Sequence, residues 1–240
     1  MKPTLFLPVM VLAVVASAPI YADPLSDLAG KVLQQTAEPG ALSERDIGAG
    51  LREALAKGTK TAVTQLGSAD GFWGDDRFRI PLPKPLTKAE GLLRNFGAGP
   101  KLDELHLAMN RAAEKAVPIA ADVFSEAVWK LTVNDAREIL GGAPDAATQY
   151  FKRTTGDTLF AKFKPIVASI TAKAGLAQQY KNVIGKAGPL AGNLGAPDLD
   201  AYVTQKAMDA LFLRVADEEK DIRENPVARS TALLKKVFGS

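Results

Sequence analysis

Apolar side chains recur every three or four residues along most of this chain, the spacing of one face of an α-helix. The longest such run is Lys101 to Leu131, KLDELHLAMNRAAEKAVPIAADVFSEAVWKL, and it contains no glycine. Leu102, Leu105, Met109, Ala112, Ala116 and Ile119 mark its inner face, and the alanines let a neighbouring helix approach closely. Pro118 removes one backbone donor and predicts a kink. Past it, Val123, Phe124, Ala127, Val128 and Leu131 continue the face in a shifted phase.

Other helices are predicted on both sides. Asp23-Pro24 opens one that Glu38-Pro39-Gly40 stops. Ser43 to Asp46 resembles a capping box and starts a second, with Leu51, Leu55, Ala62 and Leu66 at helical spacing. Thr87-Lys-Ala-Glu90 predicts a short helix to Phe96, and Thr132 to Asp135 another, ended by Gly141-Gly142. Asp145 restarts the chain, Gly156 marks a turn or weak point, and Leu159, Phe160, Phe163, Ile166, Val167 and Ile170 make a strong apolar face. Leu176 to Ile184 is helical, Gly185 to Pro197 is loop, and Asp198 caps a long helix ending near Arg223. Asn225-Pro226 begins the last helix, with Val227, Leu234 and Phe238 on its inner face. The pattern predicts an all-α fold: a single irregular bundle of about eight to ten helices.

The exception is residues 67–85, GSADGFWGDDRFRIPLPKP, where glycine, aspartate and proline replace the periodic pattern. Pro81, Pro83 and Pro85 predict an extended path. Phe72, Trp73 and Phe78 are too much apolar surface to leave in water, so the stretch is expected to fold back on the helices. A lid or partner-binding loop is the functional alternative.

Composition narrows the setting. Lys2, the apolar run Leu5 to Ala16 and the small residues before Asp23 read as a secretory signal peptide, residues 1–22. The run is too short, and too broken by Pro8 and Pro19, for a membrane span. With no cysteine there is no lipid-anchor site and no disulfide. The expected product is a periplasmic protein of residues 23–240 in one domain, with secretion as the alternative. Loops 67–85 and 185–197 are the candidate boundaries if the domain divides. Net charge is only +3 over the whole sequence, which gives no basis for nucleic-acid binding.

Several blocks together carry a resemblance. Met109-Asn-Arg-Ala-Ala-Glu114 followed by Pro118, Asp135-Ala136 with Ile139-Leu-Gly-Gly142, Ala146-Ala-Thr-Gln-Tyr-Phe151, and Ile222-Arg-Glu-Asn-Pro226 through Ala228-Arg229 to Gly239 occur in that order. The chain from Leu25 to Gly239 resembles the bacterial domain-of-unknown-function family 4197. The resemblance implies an exported, mainly helical protein; it implies no reaction and transfers no functional residue.

One histidine and no cysteine exclude the usual zinc and iron–sulfur ligand sets. Asp70, Asp75 and Asp76 lack the order of a calcium loop, and Asp217-Glu218-Glu219 reads as a solvent-facing helix surface. No nucleophile elbow, Ser-x-x-Lys or phosphate loop occurs. The balance points away from an enzyme, and no cofactor or metal is expected.

Two polar features remain. His106, Asn110 and Glu114 stand four residues apart on one side of the central helix, with Arg111 beside them. They either hydrogen-bond neighbouring segments and fix their register, or form the floor of a binding pocket, with Glu114 as the first candidate acid or base if the protein is an enzyme. The second feature is charge segregation. Residues 152–186 carry a net charge of +6, including Lys152, Arg153, Lys162 and Lys164, and residues 198–224 carry −4. Either these segments face each other, or the first is a basic amphipathic surface for an anionic membrane or a partner. The function these features support is a non-catalytic module that binds a partner protein or a small amphiphile between its helices.

Overall fold

The computed structural model describes residues 43–186 and 198–225, together with residues 228, 231, 235 and 237. By internal contacts the chain divides into Met1–Ala41 and Leu42–Ser240, and every described residue lies in the second unit. The expected signal peptide, the helix after Asp23 and nearly all of loop 185–197 and the last helix fall outside the described residues.

The described chain is helical, with no strand. Helix α1, Glu44–Leu66, is capped by the Ser43 hydroxyl, which accepts from Asp46 N at 3.1 Å. Helix α2 is Lys84–Asn95 and α3 is Gly99–Ala116. The chain then tightens into a 3-10 turn, Val117–Ile119, before α4, Ala120–Trp129. Pro118 therefore splits the central run rather than merely bending it, because its nitrogen has no hydrogen to give. Helix α5, Val133–Gly141, begins with a complete Thr132–Asp135 capping box. Helices α6, Ala146–Lys173, α7, Leu176–Lys186, and α8, Leu199–Glu224, complete the set.

Three local expectations are corrected. Lys84 and Pro85 already belong to α2, which starts ahead of the anticipated Thr87–Glu90 box. Pro85 fits that first turn, where its missing donor costs nothing. Residues 67–85 are also not extended throughout: turns run to Phe78, and only the stretch up to Pro83 is extended. Gly156 marks no turn, since α6 runs unbroken through it.

Helices α6 and α8 pack along much of their lengths, and α1 lies against α8 and α4. Helix α3 crosses this group and touches α6, α7 and α8. Its Leu102, Leu105, Met109, Ala112, Ala113 and Ala116 are all fully buried. The small alanines allow that threefold contact, and Phe72, Phe124, Phe151 and Phe163 fill the space around them. Gly58 of α1 faces α8: a Cβ there would stand 3.4 Å from the Glu218 Cβ, an ordinary packing contact.

The aromatic stretch folds back as its composition predicted. Phe72, Phe78 and Ile80 are buried in the main core. Gly71 stands where a Cβ would collide with the carbonyl oxygens of Gln65 and Leu66, so no other residue closes this turn without moving the end of α1.

Candidate functional site

The stripe on α3 meets the 70–80 segment side chain to backbone. Asn110 is fully buried and spans Ile80. Its Oδ1 accepts from Ile80 N at 2.8 Å, and its Nδ2 donates to Ile80 O at 3.1 Å and His106 O at 2.9 Å. One amide thus gives an isolated extended residue the paired donor and acceptor that a neighbouring strand would supply. His106 lies one turn earlier, with its Nε2 2.8 Å from the same Ile80 carbonyl. A carbonyl only accepts, so this nitrogen carries the proton. Burial holds the imidazole below its ordinary pKa of 6.5, which favours the neutral form.

Glu114 lies one turn further on and is 5% exposed. Its Oε1 accepts from Phe72 N at 3.3 Å and Trp73 N at 3.4 Å. Arg111 donates to its Oε2 at 2.7 Å and to Asp70 Oδ1 at 2.6 Å. Asp70 adopts a positive φ of 63°, a conformation aspartate tolerates better than most residues. The Trp73 and His106 rings meet edge-on with centroids 4.9 Å apart, and the Arg79 guanidinium lies 4.8 Å over the Trp73 ring while donating to Trp73 O. From the opposite side, Tyr202 on α8 donates to Pro81 O at 2.9 Å, and Arg77 pairs with Asp217 at 2.9 Å. The structure brings His106, Asn110 and Glu114 together on one target, the backbone of residues 72–80, while Arg111 ties Glu114 to the Asp70 side chain.

A second buried carboxylate was missed by the sequence reading. Glu219, taken as part of a solvent-facing run, is 8% exposed. It accepts from Ala147 N at 3.0 Å, Thr148 N at 2.9 Å and the Thr148 hydroxyl at 2.9 Å. Asp145 makes no side-chain cap for α6, so a side chain from α8 caps that helix instead. Arg223 binds Glu219 at 2.9 Å and continues to Ile139 O at 2.8 Å, joining the end of α5 to the start of α6. The sequence signals the Glu219–Arg223 spacing of four but not the helix start that Glu219 caps, which lies 71 and 72 positions away.

Lys152, Arg153, Lys162 and Lys164 of α6 meet different surroundings. Lys152 lies 5.9 Å over the Phe212 ring and Arg153 over Tyr150. Lys162 is exposed. Lys164 binds Asp198 at 2.8 Å. The apolar side of the segment turns inward: Phe163 and Val167 are fully buried, and Phe160 and Ile170 pack partly buried against the core. Acidic residues of α8 mostly pair within their own helix, as in Arg214–Glu218 at 2.8 Å. Burial raises the Glu218 carboxyl above its ordinary pKa, against the pull of Arg214.

Open space is distributed unevenly. Between α1, α5, α6 and α8 lies a small cavity of about 30 Å³ among Leu51, Leu55, Ile139, Phe151, Val215 and Ile222. That is room for one or two waters at most. A trough of about 820 Å³ runs along the outer side of α6 and α8. Among the described residues no three His, Asp or Glu side chains gather as a metal site, and no helix is long and apolar enough to cross a membrane.

The profile of a family described as "Protein of unknown function (DUF4197)" matches residues 41–239. The chain belongs to that family. The resemblance noted above is thereby shown, although Leu25 to Gly40 lies outside the matched span. No curated protein and no solved structure matches this DUF4197 member.

Proposed function

We propose that this DUF4197 protein is a non-catalytic interaction module of the periplasm, and that its docking face is the trough between α6 and α8. The observation that supports this is the contrast between a fastened centre and an open flank. At the centre, both Glu114 oxygens and both Asn110 amide atoms are engaged by the chain's own backbone and Arg111. An acid or base needs a proton-accepting position facing substrate, so Glu114 as catalyst is the weaker reading. A small amphiphile held among α1, α5, α6 and α8 is weaker too, because about 30 Å³ is far below the volume of a ligand pocket. The lipid-surface reading loses its apolar side to the core at Phe163 and Val167.

The flank has what a partner protein uses. Leu213 is 41% exposed beside Phe160, Met208 and Phe212, and charged Lys152, Asp157 and Asp209 stand on the rim. Native mass spectrometry of the protein recovered from its own cells tests the reading. A retained protein chain that Leu213→Asp releases supports it. A retained small ligand that survives Leu213→Asp but is lost with Glu114→Gln would overturn it in favour of a central site.

A further inference from the structure

The trough lies between two antiparallel helices. Ala147 and Thr148 near the start of α6 meet Glu219 near the end of α8, and Lys164 farther along α6 meets Asp198 at the start of α8. From Asp145 to Phe160 the trough spans roughly 22 Å of helix at 1.5 Å per residue. Met208 and Phe212 form its floor, and Leu213 stands exposed along it.

The α6 wall carries an unusual sequence, Lys152, Gly156 and Asp157, all lining the trough. Glycine inside a helix is unfavourable relative to alanine. Nothing lies within 4 Å of where a Gly156 Cβ would stand, so no packing within the described chain calls for the glycine. The space above Gly156 is open to an approaching chain. Lys152 and Asp157 have opposite charges and both are exposed. Among the described residues neither forms an ion pair: Lys152 lies 5.9 Å over the Phe212 ring, whereas Asp209 on the same rim pairs with Lys206 at 3.0 Å.

We propose that a second copy of this chain occupies the trough about a two-fold axis, so that α6 and α8 of each copy form a four-helix layer. A two-fold contact must be self-complementary: if residue i meets residue j, then j meets i. Opposite charges five positions apart on one helix satisfy this condition. An axis passing above α6, midway between them, sets each Lys152 against Asp157 of the second copy, twice. Gly156 lies next to that axis and lets the two α6 backbones approach. Leu213 of each copy leaves water against the second copy, and Phe160, already half-covered, is closed over.

The proposal rests on reading the trough as the docking face, and its test separates the two. Sedimentation velocity of the purified chain over a dilution series, at low and moderate salt, should give a dimer that dissociates on dilution. Leu213→Asp and Lys152→Glu should each weaken it by at least about tenfold, with the helical circular dichroism of each variant matching that of the parent at a dilution where the parent is monomeric. The double variant Lys152→Glu with Asp157→Lys should restore the dimer. A chain that stays monomeric at every concentration overturns the proposal, as does a dimer indifferent to Leu213→Asp or a double variant that stays monomeric. If the monomer nevertheless carries a different protein from its own cells and Leu213→Asp releases it, the docking face stands and only the second copy falls. If neither association exists, both readings fail.

Discussion

Asn110 and Glu114 are polar side chains at positions where the helix is otherwise alanine and methionine, and their partners explain them. Burying an amide or carboxylate is costly unless its hydrogen-bonding capacity is met. Here it is met by backbone groups of residues 72–80, which would themselves be unsatisfied against the core. Glu114→Ala should therefore lower stability by about 2–3 kcal/mol, read by urea denaturation, since Phe72 N loses its acceptor. Asn110→Asp should cost at least as much as Asn110→Ala at neutral pH. It keeps the acceptor for Ile80 N but sets a carboxylate against the carbonyls of Ile80 and His106; partial recovery in acid, as Asp gains a proton, would identify that repulsion. His106 adds a pH dependence whose sign follows from its lowered pKa. The unfolded chain binds the proton more readily than the folded one, so this contribution is intact above the ordinary value near 6.5 and is lost as pH falls below it. His106→Gln should flatten the fall in melting temperature between about pH 7 and about pH 5; an unaltered slope would show that other groups cause it.

Among the elements, helices were legible where one face is apolar and one polar, and boundaries were legible where a capping residue sits next to them. Ser43, Thr132 and Asp198 each cap the helix that their spacing predicts. The start of α2 was misread because Pro83-Lys84-Pro85 suggests an extended chain, while proline in a first turn also suits a helix. Gly156 was misread as a break because a single glycine is a local cost, and twenty-seven other residues packing as one helix outweigh it. Glu219 was illegible because its partners are 71 and 72 positions away and its neighbours are charged. Only the packing of α8 on α6 reveals that it caps a helix. Glu219→Ala should cost about 2–4 kcal/mol. It should raise amide exchange first at Ala147 and Thr148; exchange spread evenly along α6 would argue that Glu219 acts by packing alone.

At the scale of the molecule, the polar residues that look most like chemistry are those that hold the fold together. The stripe on α3 was legible as a stripe, but its target was not, because the sequence does not say which segment crosses it. Residues 70–81 are held both by α3 and by Tyr202 and Asp217 of α8. That arrangement makes an aromatic, glycine-rich stretch part of the core. A mobile lid would need the opposite: few buried apolar contacts and few fixed backbone bonds. Native-state hydrogen exchange resolved to single amides measures this directly at Phe72, Trp73 and Ile80. The account predicts protection close to that of the α3 core, collapsing at these three positions in Glu114→Ala and Asn110→Ala. Exchange at the rate of an exposed loop in the unaltered protein, with α3 still protected, would contradict it and return the stripe to the role of a binding floor.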